Sequence, residues 1–139
     1  MHGKEENGFV ALKLDHGEDI YESLNRAIVD FNIKSGYILM GIGMLKDVEI
    51  GYFDGERYHT KYLEQAHELI SLQGSISTKE EVIIHMHCSL AGSDHSLEGG
   101  HLNKGTVNVI NEILIKKVNE IDLGRNLNPN TGLKELFIE

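Results

Sequence analysis

One stretch of this chain carries both the spacing and the end signals of a helix. From Glu18 onward, apolar residues fall at Ile20, Leu24, Ile28 and Phe31. These steps of four, four and three line one side of an α-helix. Glu18 and Asp19 put negative charge where the amide groups of a helix start are exposed, and Ser35-Gly36 marks a stop. The spacing therefore predicts one main helix over about residues 18–32. The rest of the chain alternates apolar and polar residues or runs rich in β-branched side chains, between glycines. Strand-like runs are Phe9 to Leu14, Tyr37 to Gly43, Val48 to Phe53, Arg57 to Tyr62, His67 to Ile76 and Val82 to Leu90. Asp54-Gly55 between two of them is a hairpin signal. Thr106 to Val118 could make a helical stripe, but seven of its thirteen residues are β-branched, which favours a strand. The tail beyond Pro129 reads as a turn and a short closing strand. One helix with seven or eight strands is an α+β fold built on a largely antiparallel sheet.

The 139 residues suit a single compact domain, 8–139, behind a short N-terminal tail of residues 1–7. No apolar run approaches the roughly 20 residues that a membrane helix needs, and the start lacks the apolar segment of a signal peptide. The single cysteine, Cys88, has no partner for an internal disulfide, which fits a cytoplasmic, reducing setting. The net charge of −9 and the scatter of 13 Lys and Arg residues, densest at Lys116-Lys117, argue against unaided contact with DNA phosphates.

The chemistry lies in "VIIHMHCSLAGSDHSLEGGHL", Val82 to Leu102. Residues two apart on a strand share a face, so His85 and His87 stand together with Ser89 and Ala91, while Met86, Cys88 and Leu90 face the other way. The two imidazoles start roughly 6–7 Å apart. His101 follows Gly99-Gly100, and a glycine-hinged loop of this length can fold back over the pair. Three neutral ring nitrogens suit Zn²⁺ and leave one position open to water or a small molecule. Asp94, Glu98 and Glu112 are candidate acceptors for the outer ring nitrogens. His95 reads as solvated. His2, His16 and His59 read as surface or turn residues, and Cys88 reads as core. "HELIS" at His67 fails the zinc-protease pattern because Ser71 stands where the second histidine belongs. "GIG" at Gly41 lacks the third glycine of a dinucleotide loop.

With these residues in view, "HMHCSLAGSDHSLEGGHLNKGTVNVINEILI" resembles the signature of the plants-and-prokaryotes-conserved (PPC) domain in its stand-alone prokaryotic type. "LKLDHGEDIYESL", "GIGMLKDVEIGYFD", "HELISLQGSIS" and "NTGLKELFI" match it in order, so the resemblance runs from about Gly8 to Ile138. It implies an α+β fold that assembles as a homotrimer, and a role as a candidate DNA-binding or regulatory protein. It places the metal on His85, His87 and His101. Plant members reach DNA through an attached Arg-Gly-Arg-Pro segment, which this chain lacks. Their Gly-Arg-Phe-Glu-Ile-Leu partner motif is replaced here by Gln65 to Ile70. The fold is also similar to that of acetolactate decarboxylase, a three-histidine zinc enzyme. This implies an alternative, a small zinc-dependent lyase or hydrolase acting on a carbonyl-bearing or acidic metabolite. Glu112 is then its one candidate acid/base residue. A third option is a zinc that only pins the loop from Ala91 to His101 to the sheet. The partners expected are two further copies of the chain, DNA or a DNA-associated protein, and a small molecule at the open metal position.

Overall fold

The structure is a computed structural model that describes residues 1–139. Its elements in chain order are β1 (His2–Glu6), β2 (Phe9–Asp15), α1 (Ile20–Asp30), β3 (Ser35–Phe53), β4 (Tyr58–Leu63), β5 (His67–Ser77), β6 (Ile83–Ala91), β7 (Leu97–Lys117), β8 (Leu123–Leu127) and β9 (Lys134–Ile138). The α+β expectation holds: one helix packs on a single seven-stranded antiparallel sheet, and β8 and β9 form a separate hairpin. No helix is long and apolar enough to cross a membrane.

α1 begins where its cap dictates. The Asp19 carboxylate accepts hydrogen bonds from the backbone N–H groups of Tyr21 and Glu22, at 2.8 and 3.0 Å, which satisfies two otherwise orphaned donors. Of the predicted stripe, Ile20, Leu24 and Ile28 are buried against the sheet with Ala27 beside them, and Phe31 is partly buried at the helix end.

Two long strands organise the sheet. β3 and β7 pair from Gly36↔Lys117 to Gly51↔His101. β5 and β4 flank β3; β6 and β2 flank β7. Because β5 also pairs with β6, the strands β3, β5, β6 and β7 form a closed ring around a core that includes Leu45, Leu72, Ile76, Met86, Leu90 and Leu102. Strands this long stay paired around such a curve only by slipping register. β3 does so between Ile38 and Met40, Gly43 and Leu45, and again between Lys46 and Ile50. These irregularities split β3 into two apparent runs in the sequence.

Three other expectations are corrected. Residues 1–7, expected as a tail, supply β1, which pairs with β2 from His2↔Lys13 to Glu6↔Phe9. The Thr106 to Val118 strand is only the second part of β7, which already starts at Leu97. β8 carries too little alternation to register as a strand, and nine strands result rather than seven or eight.

Candidate metal centre

β6 alternates as far as Leu90, and Ala91, expected on the histidine face, is buried next to it. Ile84, Met86, Cys88 and Leu90 are buried, while His85, His87 and Ser89 look outward. Cys88 therefore faces the core, as its place in the strand predicts, and burial pushes its thiol up to about 11. A tight turn over residues 92–96 returns the chain antiparallel, so His101 lies directly across from His87. The third histidine thus comes from a paired strand rather than from an overhanging loop, and the correction shortens its path. The Gly-Gly pair is needed for close approach. A Cβ on Gly99 would stand 2.4 Å from the Cys88 carbonyl oxygen, and one on Gly100 would stand 2.6 Å from that of Gly51. Only bare backbone fits there, and it brings β7 against β6 and β3 together.

The three rings converge. Their centroids lie 5.0 Å apart for His85–His87 and His85–His101, and 5.5 Å apart for His87–His101. One nitrogen from each lies within 4.8 Å of the others. The Nε2 atoms of His85 and His87 are 3.2 Å apart. Two nitrogens on one tetrahedral zinc, each at about 2.0–2.1 Å, would be about 3.3 Å apart.

The electrostatics suit a cation's ligands. Burial, then the neighbouring His101, Arg125 and His87, push His85 down to about 4. Burial, then His87, also lowers His101. Neutral imidazoles keep a lone pair free at neutral pH. His101 Nδ1 is buried with no hydrogen-bond partner, an orphaned polar atom of the kind that a missing ligand would satisfy. The donor set therefore fits a late first-row ion such as zinc.

The other candidates lie elsewhere. Asp94 is taken up inside the turn, accepting from Ser96 N at 3.0 Å and Ser96 Oγ at 2.6 Å. Glu98 pairs with Lys61. Glu112 sits exposed on β7, eleven residues beyond His101 and opposite Lys13, so it cannot serve this centre within the chain. His95 is exposed on the turn with φ 64°, outside the cluster. His16 accepts from the Val109 N–H at 3.1 Å, and His59 pairs with Asp54.

Two residues beside the centre had no signal in the sequence. Tyr58 stacks obliquely at 5.6 Å from His101. Arg125, on β8, points an Nη2 N–H at His85 Nδ1, 3.4 Å away, and donates to Ser75 Oγ at 2.7 Å. A lone arginine in an unremarkable segment gives no spacing from which its target could be read. Tyr58, Arg125, His85 and His101 share a cavity of about 420 Å³ with Ile83 and Leu136.

The profile of the Plants and Prokaryotes Conserved (PCC) domain matches residues 1–119. The chain belongs to this family. Solved structures similar to this PCC domain include a candidate DNA-binding protein from Bacteroides thetaiotaomicron, 27% identical with a TM-score of 0.90, covering 98% of this chain and 96% of that one. A metal-containing protein from Archaeoglobus fulgidus is 29% identical with a TM-score of 0.83, covering 96% and 95%. A plant- and prokaryote-conserved protein from Pyrococcus horikoshii is 28% identical with a TM-score of 0.79, covering 96% and 93%. Among curated proteins, 129 residues of the PCC domain are 27% identical to part of the bifunctional protein GlmU of a Synechococcus strain. The chain spans about a fifth of that relative's length.

Proposed function

We propose that this PCC domain holds one Zn²⁺ on His85, His87 and His101 and keeps a fourth position open toward the cavity beside Arg125. The observation that carries this reading is the convergence of three ring nitrogens, two of them at the separation a tetrahedral ion requires. The metal-containing Archaeoglobus relative supports it. Metal analysis of the purified protein, with an anomalous scan at the zinc edge, tests it. The expected result is one zinc per chain, lost in His101→Ala. A protein that takes up no divalent metal from millimolar solution refutes it.

In this reading the protein is cytoplasmic, assembles as a homotrimer and acts as a regulatory module. The apolar residues Phe9, Leu39, Met40 and Ile42, all exposed on the sheet, give copies of the chain a surface to cover. Sedimentation equilibrium should return three chains, and a monomer would refute the assembly. The family's association with DNA then runs through a partner protein, because three chains of −9 each carry −27, which repels phosphate. A gel shift at low salt that fades steeply as salt rises would overturn this. The cavity at the open position favours a second reading, a small zinc-dependent lyase or hydrolase. Its acid/base group would then come from the cavity wall rather than from Glu112.

A further inference from the structure

Arg125 is the one cation in the wall of the histidine cavity with no carboxylate to neutralise it. In a chain with 22 acidic residues, none forms a salt bridge with it. The other wall charges are already engaged: Lys134 pairs with Glu81, and Glu135 accepts from Asn128 and Thr131. Arg125 donates only to neutral acceptors, Ser75 Oγ and, at 3.4 Å, the Lys134 carbonyl, and it faces His85 Nδ1. Its Nε is buried with no partner at all. A guanidinium in this position has more donors than the protein supplies acceptors.

Loading the centre sharpens the mismatch. A neutral imidazole that gives its Nε2 lone pair to an ion carries its proton on Nδ1. His85 Nδ1 then becomes a donor, and the group facing it is another donor, the Arg125 Nη2. A metal-binding histidine normally passes that outer proton to a carboxylate, a carbonyl or water. Here the chain puts a cation in that place, and Asp94, Glu98 and Glu112, the sequence's candidates, are all elsewhere. One kind of guest satisfies both donors at once: an oxyanion that accepts from His85 Nδ1–H and Arg125 Nη2–H together. A flat carboxylate matches the edge of a guanidinium. Beside the engaged Lys134 and Glu135, the wall carries Ile83, Ile84, Leu133 and Leu136, an apolar part that suits an organic body rather than a bare inorganic ion.

We propose that Arg125, with His85, forms a docking point for the carboxylate of a small organic acid in the cavity next to the three-histidine centre. The proposal rests on the zinc reading above and adds the ligand class. Arg125 lies beyond residues 1–119, so nothing in the family match assigns it this role.

The test uses the full chain loaded with zinc, and in parallel with cobalt(II), whose visible spectrum reports its surroundings. Metal content is measured first for the wild type, Arg125→Gln and Arg125→Lys. Isothermal titration then follows pyruvate and inorganic phosphate separately. The expected result is full metal content in all three proteins. Pyruvate should bind the wild type and shift the cobalt bands. Binding should weaken roughly 10- to 100-fold in Arg125→Gln, the loss expected for charge-assisted hydrogen bonds. Arg125→Lys should fall between the two, because it keeps the charge and loses the fork. Unchanged pyruvate binding in Arg125→Gln overturns the proposal, as does phosphate binding more tightly than pyruvate. Absence of metal from the wild type fails the zinc reading itself and takes the proposal with it, and the metal assay shows which of the two has failed. If Arg125→Gln does not fold, Ser75→Ala replaces it. Removing the hydroxyl that holds Nη2 should weaken pyruvate while leaving the metal in place, and unchanged pyruvate binding there also refutes the assignment.

Discussion

Gly99→Ala probes the link between backbone approach and the metal centre. The added Cβ would stand 2.4 Å from the Cys88 carbonyl oxygen, where ordinary contact begins near 3.4 Å, so β7 must retreat from β6 by about 1 Å. Backbone cannot rotate out of the way as a side chain can. Overpacking of this kind costs about 1–3 kcal/mol. With an unfolding entropy of about 2.1 cal/mol/K per residue, 139 residues give about 0.29 kcal/mol/K, and the midpoint should fall by about 3–10 °C. The same retreat carries His101, two residues on, away from His85 and His87. Metal–ligand distances tolerate only about ±0.2 Å, so zinc affinity should drop at least tenfold. Gly36→Ala is the comparator. Its Cβ would meet the Lys116 carbonyl oxygen at 2.8 Å, at the far end of the β3–β7 pair, so it should lose stability while keeping zinc. Calorimetry and competitive zinc titration of both variants separate the two effects. A Gly99→Ala protein that binds zinc as tightly as the wild type would refute the claim that backbone contact sets the third ligand.

Three further outcomes are expected. In the presence of chelator, stability should be full above about pH 6.5 and decline as pH falls toward 4. Over that interval the unfolded chain binds a proton at His85 that the folded protein excludes. Urea midpoints at pH 7, 6 and 5 should show the decline, and His85→Asn should flatten it; an equal slope in both proteins contradicts the assignment. Leu72→Ala removes a fully buried side chain inside the strand ring and should cost about 2–5 kcal/mol in denaturant titrations, so a loss below about 1 kcal/mol would mean the ring is loosely packed. Glu112→Gln should leave zinc affinity unchanged, since the residue is exposed far along β7; a measurable loss in titration would place it at the centre after all.

The sequence revealed most where period and chemistry coincide. The 3.6-residue stripe located α1, and the two-residue period of β6 put His85 and His87 on one face with Cys88 turned away. It misled where the chain bends. The register slips in β3 disguised one strand as two, and β7 read as a loop before Thr106 because Gly99, Gly100 and Gly105 interrupt its apolar pattern. β1 carries almost no apolar residues, since all five of its positions are exposed at an edge, so nothing in it alternates. Charge partners were the least legible. Asp94 is engaged by Ser96, Glu98 pairs with Lys61 and Glu112 stands exposed on β7, while Arg125, forty residues from His85, closed the site through the hairpin of β8 and β9.

That hairpin pairs with no strand of the ring; it is held by side chains, through the bond from Leu123 N to Ser35 Oγ, the Arg125–Ser75 bond, the buried Leu123, and the pairs of Lys79 with Asp122 and Glu139 and of Lys134 with Glu81. The histidine platform is woven into the central strands, whereas the arginine arrives on a flap outside their backbone ladder. Exchanging only the flap, from about residue 120 onward, should therefore retune which guest the pocket welcomes without rebuilding the scaffold beneath.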